Sequence, residues 1–317
     1  MAEIGVDVQK AAGLLLEGKC VAIPTETVYG LAANALNHQA VLNIFRVKER
    51  PDFDPLIVHF KNVTDAFSCA SFVPDIAKKL ADEFWPGPLT IVLPKNEKIP
   101  LCVTSGLDTV GLRVPNHAKL IQLLKILPFP LAAPSANPFG YVSPTSAQHV
   151  NDNLGEKIEY ILDGGECEKG IESTIIGFEG DEPVLYRLGS LSLESIEKIT
   201  GKLKLKINSS SNPMSPGQVK MHYSPHKKVF MSSYHDMKSK LKQNCGFITF
   251  KFPIVEDQSE MNIVLSESGS FSEAARNLFA ALRTLDSADC EVIYAEVLPE
   301  DDLGRAINDR LRRAAAK

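Results

Sequence analysis

Basic side chains occur at positions that a plain solvated surface explains poorly. Lys48 and Arg50 come just before a proline-rich loop, and Arg113 lies in the apolar segment VGLRVP. Arg187 precedes a predicted helix start. An arginine in an apolar strand is costly to bury without an anion beside it, and lysine with arginine neutralises phosphate oxygens. The pattern favours a local anion pocket, although Lys48 and Arg50 alone also fit the negative end of a helix dipole.

Hydroxyl groups recur in segments that are rich in small residues. PTETVYG begins at Pro24, APSAN runs through Ser135 and Asn137, and GIESTIIGF carries Ser173. Small residues let a ligand approach the backbone closely, and hydroxyl groups supply hydrogen-bond donors. Each segment by itself also fits an ordinary turn or a serine-proline loop. Only their sum with the basic residues predicts a polar binding site.

No familiar catalytic pattern accompanies these residues. Residues 13–19 spell most of a phosphate loop, but this segment closes a helix and leads into a strand, so we interpret Gly18 as a helix C-cap. His222 and His226 have the spacing of a helical zinc pair, which Pro225 between them argues against. The six cysteines form no CxxC pair, which predicts reduced and mostly buried thiols rather than a nucleophile.

Length, charge and hydropathy narrow the class of protein. The chain of 317 residues fits two domains, each able to bury its own core. Its net charge of −5 disfavours a protein that coats nucleic acid through a broad basic surface. No apolar run reaches the ~18 residues of a spanning helix, and no signal peptide is visible. We therefore expect a cytoplasmic protein that does not contact a membrane.

Hydrophobic periodicity predicts a mixed α/β arrangement in the first part of the chain. Three segments have a helical period, and the second of them follows Asn37 as an N-cap. The predicted helices cover residues 6–18, 38–48 and 73–85. The predicted strands cover residues 20–24, 56–60, 89–93, 110–114, 130–133, 159–162, 173–178 and 184–188.

Residues 204–228 differ from the sequence on either side. They are rich in Ser, Pro, Lys and Asn and follow neither hydrophobic period, which predicts a linker. Its Pro216-Gly217 turn and the His222-Tyr223 pair are unusual in a passive spacer, and we interpret the segment as a lid over a ligand. A disordered tether is the alternative interpretation.

A second unit is predicted after the linker. The apolar segments VFMSS, GFITF, NIVL and VIYAEV read as short strands that alternate with helices. Ser270 and Glu273 form the capping-box pattern before the longest helix. Strands alternating with helices predict a small parallel α/β domain.

Taken in order, the motifs resemble those of a known family. PTETVYG, KERP followed by DPLIVHF, WPGPLT, VGLRVP, APSAN, GIESTII, LYRLG and SPGQVKMHYSP are similar to the YrdC-like threonylcarbamoyl-AMP synthases in their longer, two-domain form. The ending DDLGRAINDRLRRAAAK extends the match. The resemblance implies an α/β (α+β) fold with a twisted mixed sheet and helices, similar in shape to a double-stranded-RNA-binding domain. It also implies a small Rossmann-like C-terminal domain, with boundaries at 1–202, 203–228 and 229–317.

The resemblance also implies roles for individual residues. The residues implied for catalysis are Lys48, Arg50, Ser135 and Asn137. The residues implied for ATP are Lys48, Asp52, Ser135, Ser143, Arg187, His222 and Tyr223. The residues implied for L-threonine are Thr25, His59, Arg113 and Ser173, with Arg113 as partner of the threonine carboxylate. No protein metal site is implied, because Mg²⁺ would arrive with ATP.

The implied reaction joins L-threonine, bicarbonate and ATP into threonylcarbamoyl-AMP and pyrophosphate. Such a nucleotidyltransferase uses ATP as a substrate and passes its product to a tRNA-modifying threonylcarbamoyl transferase complex, so that direct tRNA binding is possible but not required. The alternative is a non-catalytic RNA-binding module, which the acidic composition disfavours. A transferase that uses carbamoyl phosphate would need zinc-finger Cys and His clusters that the sequence lacks.

Overall fold

The computed structural model describes residues 1–51, 53–207, 222–240, 244–254 and 261–316. These residues fold around two separate sheets, a large mixed one and a small parallel one. No helix in these ranges is both long and apolar enough to cross a lipid bilayer. The predicted mixed α/β class is confirmed.

The larger sheet is built by the first two thirds of the sequence. Its strands are β1 (Glu3–Gly5), β2 (Val21–Ile23), β3 (Gly30–Asn34), β4 (Ile57–His59), β5 (Leu89–Pro94), β6 (Thr109–Arg113), β7 (Leu131–Ala132), β8 (Tyr160–Leu162), β9 (Thr174–Glu179), β10 (Glu182–Arg187) and β11 (Lys204–Leu205). Within the described ranges these strands are ordered β1-β8-β2-β3-β7-β4-β6-β5-β9-β10-β11. Strands β4 and β6 are parallel, whereas β7 runs antiparallel to β4, so the sheet is mixed at its centre.

Helices pack on both faces of this sheet. They are α1 (Val8–Leu16), α2 (His38–Lys48), α3 (Val63–Phe67), α4 (Asp75–Phe84), α5 (Leu101–Thr104), α6 (Ala118–Ile126), α7 (Ala147–Leu154) and α8 (Leu193–Thr200). Val21 and Ile23 of β2 pack with Leu15 of α1, whereas Ala22 belongs to the core that contains Ile44 of α2. Successive side chains of a strand point to opposite faces, so β2 is apolar throughout because both of its faces are covered.

The ends of α2 follow from local sequence and position two of the predicted site residues. Asn37 caps the start, because its Oδ1 accepts a hydrogen bond from the Ala40 N–H at 3.1 Å. The helix ends where Glu49 adopts a left-handed conformation with φ 54°. That turn leaves Glu49 exposed while Lys48 and Arg50 on either side of it are buried.

The predicted elements of the first part are confirmed apart from residues at their ends. The C-cap of α1 is Glu17 rather than the predicted Gly18, which follows it in the left-handed conformation with φ 80° and ends the helix. The prediction missed β1, β3, α3 and α5, gave no bounds for α6 and α7, and treated the two residues of β11 as linker. The missed elements are short, and β11 forms only because Val184 and Leu185 of β10 offer a free edge beside it.

The smaller sheet contains only parallel neighbours. Its strands are β12 (Lys228–Ser232), β13 (Cys245–Thr249), β14 (Asn262–Val264) and β15 (Val292–Glu296), in the order β12-β15-β13-β14. Its helices are α9 (Tyr234–Met237), a 3₁₀ turn (Lys238–Lys240), α10 (Phe271–Ser287) and α11 (Gly304–Ala314). The predicted parallel α/β arrangement is confirmed.

The cap of α10 differs in detail from the predicted box. Ser270 Oγ accepts a hydrogen bond from the Glu273 N–H at 3.3 Å, as expected. The Glu273 carboxylate does not return to the Ser270 backbone, because it accepts from the hydroxyls of Ser266 and Ser268 instead. The Ser270 N–H donates to Ser266 Oγ at 2.8 Å, so a neighbouring serine supplies the second half of the cap.

Helix α10 connects the smaller sheet to the larger one. Asp286 near its end accepts a hydrogen bond from the Tyr141 hydroxyl at 2.8 Å. Arg283 is buried, donates to Asn153 Oδ1 at 2.7 Å and also donates to the Val142 carbonyl. Buried, fully hydrogen-bonded arginines of this kind fix the relative position of two packed units.

The tightest backbone approach between the two parts lies at Gly170. Its φ of 71° is in the left-handed region, and a Cβ there would lie 2.3 Å from the Arg276 Cα of α10. We expect Gly170→Ala to lower the free energy of unfolding by about 1–3 kcal/mol more than Gly180→Ala does, because only the first substitution creates a steric clash. Gly180 is a matched control with φ 61°, where a Cβ would meet no described heavy atom within 4 Å. Urea unfolding measures both variants, and equal losses would contradict the close approach.

Candidate active site

A pocket lies on one face of the central strands of the larger sheet. Ile57 and His59 are two residues apart in β4, so their side chains point to the same face of the sheet. Arg113 of β6 is the residue paired with His59 in the parallel register of the two strands. The cavity volume is about 50 Å³, which holds a few water molecules. The predicted site residues that line this pocket are Thr25, Arg50, His59, Arg113, Ser135, Ser173, Arg187, His222 and Tyr223.

Three further predicted residues lie behind the pocket wall. Lys48, Asn137 and Ser143 are buried and are not among the described residues that line the cavity. Lys48 and Ser143 are hydrogen-bonded to residues of the wall, namely to the Ser135 carbonyl at 2.6 Å and to Glu172 Oε1 at 2.6 Å. Asn137 is connected to the wall through Lys48, which donates to its carbonyl. Asp52 lies outside the described residues.

Arg113 is held by acidic and hydroxyl partners from the PTETVYG segment. Its Nη2 lies 2.8 Å from Glu26 Oε1 and donates to Thr27 Oγ1 at 3.0 Å. Its Nε is buried and has no hydrogen-bond partner in the described parts of the chain. Arg113 therefore keeps one buried donor available while Glu26 offsets its charge.

Thr25 shows that the two interpretations of PTETVYG are compatible. Its Oγ1 donates to the Val28 carbonyl at 2.7 Å and accepts from the backbone N–H groups of Thr27 and Val28. The segment is thus a turn held by a threonine side chain. The same residue lines the pocket, because this turn directly precedes β3 on the pocket face.

Lys48 positions the loop that carries Ser135 and Asn137. Its Nζ donates to the Ser135 carbonyl at 2.6 Å and to the Asn137 carbonyl. Asn137 in turn donates through Nδ2 to the carbonyls of Pro138 at 2.8 Å and Tyr141 at 2.9 Å. The end of α2 and the loop after β7 therefore form one hydrogen-bonded unit at the pocket.

Arg50 reaches the pocket with its charge partly offset. Its Nη2 lies 2.8 Å from Asp54 Oδ2 and donates to the Pro55 carbonyl at 3.0 Å, while its Nε donates to the Asp54 carbonyl at 3.1 Å. The guanidinium carbon lies 5.9 Å from the Phe139 ring centre, within reach of a cation–π contact. These contacts fix the guanidinium plane against the cavity.

Arg187 and Ser173 form another part of the pocket wall. Arg187 Nη2 donates to Ser173 Oγ at 3.0 Å and to the Ser173 carbonyl at 2.9 Å. Ser173 Oγ also lies 2.8 Å from Thr90 Oγ1 of β5, and either hydroxyl can donate. The Ser173 hydroxyl is therefore oriented from two sides.

His222 and Tyr223 close the cavity. Their rings meet edge to face with centres 4.0 Å apart, and Tyr223 stacks on Phe279 of α10 at 5.4 Å. Tyr223 has φ 62°, an uncommon backbone conformation for a tyrosine. His222 Nδ1 and the Tyr223 hydroxyl are buried and have no partner within the described ranges, which leaves polar atoms available at the pocket.

Burial controls the protonation of the groups around the cavity. Burial, followed by the charge of Arg50, holds the pKa of the Lys48 amine well below its usual range. Burial, followed by the charges of Arg50 and Lys48, likewise holds the pKa of His222 well below its usual range. Burial raises the pKa of Tyr223 to about 12. An anion that enters such a dry, cationic cavity would offset these desolvation costs.

The acidic residues near the pocket are already paired with arginines. Glu26 contacts Arg113, and Asp54 contacts Arg50. No group of three or more His, Cys, Asp and Glu side chains that could hold a metal ion occurs in the described residues.

Sequence reasoning missed three charged residues that support the pocket, namely Glu26, Asp54 and Arg310. Asp54 follows Arg50 by four residues and Glu26 lies between two threonines of the PTETVYG motif, so both were within reach of the motif argument. Arg310 occurs on the apolar side of α11, and an arginine there is a signal of a buried partner.

Comparisons with known proteins agree with this architecture. A family model described as "Telomere recombination", for the Sua5, YciO and YrdC proteins, matches residues 13–189, more than half of the chain. A second model, described as "Threonylcarbamoyl-AMP synthase, C-terminal domain", matches residues 191–316. The chain belongs to the Sua5 family, in the long form that carries both regions.

Individual relatives extend over nearly the whole chain. The Pyrococcus abyssi threonylcarbamoyl-AMP synthase is 42% identical over 96% of this chain and 93% of its own length. The Bacillus subtilis protein of the same name is 36% identical over 97% of this chain and 92% of its own length. The crystal structure of Pyrococcus abyssi Sua5 complexed with L-threonine matches with a TM-score of 0.91 and 39% identity, over 99% of this chain and 97% of that one.

The pKa of His59 gives a test of the pocket's dryness. Burial, followed by the charge of Arg113, lowers this pKa from its ordinary 6.5 to about 3. The unfolded chain therefore takes up a proton below pH 6.5 that the folded protein excludes, and stability is lost as the pH falls through this window. Between pH 7 and pH 5 we expect wild type to lose about 2 kcal/mol more than His59→Gln does. His235→Gln, at an exposed position, is the control that should behave as wild type. Parallel profiles for wild type and His59→Gln in urea unfolding would refute the buried, neutral imidazole.

Proposed function

We propose that the chain is a nucleotidyltransferase that condenses L-threonine, bicarbonate and ATP into threonylcarbamoyl-AMP and pyrophosphate. The observation that carries this proposal is the convergence of Arg50, Arg113 and Arg187, all buried, with hydroxyl groups on one pocket. All three substrates are anionic in whole or in part, so a common cationic site is what their encounter requires. The matches to threonylcarbamoyl-AMP synthases over nearly the whole chain support the same reaction.

Threonine is assigned to the side of the pocket near β4 and β6. The free buried Nε of Arg113 suits the threonine carboxylate, and His59 beside it is a neutral imidazole able to contact the amino acid without repelling its ammonium group. Thr25 and Ser173 line the same cavity and provide small polar surfaces for the substrate. The threonine-bound structure of Pyrococcus abyssi Sua5 supports this class of ligand.

ATP is assigned to the side that Arg50, Ser135 and Arg187 line. The two guanidinium groups would face the phosphates, since Arg forms two-pronged contacts with phosphate oxygens. Lys48 supports Ser135 by donating to its carbonyl, and Asn137 holds the following loop by donating to the Pro138 and Tyr141 carbonyls. In this arrangement Lys48 contributes positive charge near the phosphates and also holds the loop of Ser135 and Asn137 in position.

The chemistry proceeds in two steps. The threonine ammonium group loses a proton, and the neutral amine forms a bond to the carbon of bicarbonate as its C–O bond breaks and water leaves, or adds to carbon dioxide after bicarbonate has lost that water. The nitrogen gives up its second proton, one net proton passes to solvent, and the product is a carbamate. A carbamate oxygen then bonds to the α-phosphorus of ATP as the bond from that phosphorus to pyrophosphate breaks. The arginines hold the anions together and stabilise the charge that develops on pyrophosphate, so no covalent enzyme intermediate is needed.

Opening of the pocket is part of the proposal. The pocket is narrow, with a cavity volume of about 50 Å³ that holds a few water molecules, and His222 and Tyr223 form part of its wall. We assign these two residues to a lid that moves to admit ATP and then excludes water from the mixed anhydride. The remainder of the predicted lid, residues 208–221, and with it the Pro216-Gly217 turn, lies outside the described residues.

Mg²⁺ is assigned to ATP rather than to a protein site. The pocket carboxylates of Glu26 and Asp54 each contact an arginine, which leaves them poor ligands for a resident ion. Magnesium bound to ATP would reduce the charge on its phosphates.

The cellular setting and the domain limits complete the proposal. The product passes to a tRNA-modifying threonylcarbamoyl transferase complex in the cytoplasm, and contact between tRNA and this chain is not required. We divide the chain into a catalytic domain (1–202), a linker or lid (203–228) and a C-terminal domain (229–317). The family models support two regions, since one ends at residue 189 and the next begins at residue 191.

Product analysis tests the reaction directly. We expect threonylcarbamoyl-AMP, identified by mass spectrometry, and pyrophosphate only when ATP, L-threonine and bicarbonate are all present. Omission of each substrate in turn is the control, because the carbamate must form before it can attack ATP. Pyrophosphate release without threonine, or RNA binding without any turnover, would contradict the proposed reaction in favour of another role.

Substitution of Arg113 tests the threonine side of the pocket. We expect Arg113→Lys to raise the Michaelis constant for threonine by a factor of about ten or more, while the Michaelis constant for ATP changes little. Lysine keeps the positive charge beside Glu26 but lacks the planar guanidinium group that can donate two hydrogen bonds to a carboxylate. Arg46→Lys, on the exposed side of α2, is the matched control. Equal increases for both substrates in a folded Arg113→Lys variant would refute the carboxylate assignment.

A further inference from the structure

The last helix brings a buried arginine to the wall of the pocket. Arg310 is fully buried, with 0% of its surface exposed. It lies on the apolar side of α11, between Ile307 and Ala314 at the i−3 and i+4 positions. A guanidinium group on an apolar helix face is expensive to bury, so its partners indicate what it is placed there to do.

Two of its partners, Glu172 and Leu188, belong to the larger part of the protein, and a third, Asp309, lies on its own helix at 3.2 Å from Nη1. Arg310 Nε and Nη2 both donate to Glu172 Oε2 at 3.1 Å, and Nη1 donates to the Leu188 carbonyl at 2.6 Å. The guanidinium carbon also lies 5.4 Å from the Tyr223 ring centre. One side chain of the C-terminal helix therefore contacts both Glu172 and Tyr223, which line the cavity.

Glu172 extends this connection into the ATP side of the site. Its Oε1 accepts a hydrogen bond from Ser143 Oγ at 2.6 Å, and its carbonyl accepts from the Ser190 N–H at 3.0 Å. The carboxylate is buried beside the region assigned to the phosphates. Without a cation against it, Glu172 would repel the phosphates of ATP.

We infer that Arg310 is a positioning residue through which the C-terminal helix sets the affinity of the pocket for ATP. It neutralises Glu172, orients that carboxylate towards Ser143, and supports the ring of Tyr223. The inference rests on the assignment of ATP to this side of the pocket. It gives the smaller α/β unit a part in substrate binding, because α11 supplies the guanidinium group that donates two hydrogen bonds to Glu172.

Arg305 provides a control on the same helix. It also joins α11 to the larger part of the protein, through Glu194 of α8, but both side chains of that pair are partly exposed and away from the cavity. A role of Arg310 limited to docking the helix would make the two arginines similar in effect. If Arg310 acts in ATP binding, its substitution weakens ATP binding while substitution of Arg305 does not.

The experiment compares Arg310→Lys and Arg305→Lys in the full chain. The Michaelis constants for ATP and threonine are measured by pyrophosphate release, and the dissociation constant for magnesium-ATP by calorimetry. We expect Arg310→Lys to weaken ATP by about ten- to a hundredfold, the effect of losing hydrogen bonds to a charged group. The constant for threonine should remain close to wild type. Arg305→Lys should change neither. Unchanged ATP affinity in folded Arg310→Lys, or equal losses for ATP and threonine, would overturn the inference.

A double-mutant cycle separates an effect through Glu172 from a general loss of packing at position 310. Glu172→Gln removes the carboxylate that Arg310 neutralises, while Asp309 remains beside the cation at position 310 in every variant of the cycle. We expect the effect of Arg310→Lys on ATP affinity to disappear largely in the Glu172→Gln background. Strictly additive effects on ATP affinity would contradict the proposed coupling.

Wild-type behaviour separates this inference from the proposed function. A wild-type protein that binds magnesium-ATP but forms no threonylcarbamoyl-AMP would overturn the proposed reaction, and the Arg310 variants would still be decided by their ATP affinity. A wild-type protein that turns over normally, with Arg310→Lys equal to it in both ATP constants, would overturn only the role of Arg310. Failure of wild type to bind ATP at all would overturn both.

Discussion

Burying guanidinium groups costs free energy, and the architecture of this protein is arranged around that cost. Arg50, Arg113 and Arg310 each contact a carboxylate, and none of these side chains is more than slightly exposed. The carboxylates offset the charge without filling the pocket, so the cavity remains cationic and dry. Breaking one such pair would leave its partner buried and unpaired, which typically costs 3–5 kcal/mol. These ion pairs therefore contribute both to the stability of the fold and to the recognition of ligands.

The same constraint explains why the two parts of the chain are joined so closely. Glu172 belongs to the loop before β9, and its cation comes from α11, 138 residues later. Arg283 of α10 likewise binds carbonyls in the loop that carries Ser143. Helices α10 and α11 thus connect the smaller parallel sheet to the pocket, because they place arginines against loops of the larger sheet. Movement of these helices would change the charge balance of the cavity directly.

Much of the fold was predictable because its signals are local. The N-caps at Asn37 and Ser270, the end of α1 at Gly18 and the apolar strands are decided by residues within a few positions of one another. The elements that were missed are short or depend on a distant partner. Strand β3 follows the PTETVYG turn and pairs with β7 through Ala33 and Ala132, a contact that no local period reveals. The second half of the Ser270 cap depended on Ser266, outside the expected box.

The sequence alone indicated which residue types contact the ligand, because motifs such as GLRVP and APSAN place a charged or polar residue among apolar or small residues within a few positions. It determined the family for the same reason. Only the tertiary structure decided which charges are paired, that Lys48 and Asn137 stand behind the wall, and that Arg310 reaches Glu172. Glu26 and Arg113 are far apart in sequence, and their contact depends on β6 lying in the sheet near the turn that precedes β3. The interaction between two charged side chains depends on their distance in space. The order of residues in the sequence does not specify that distance.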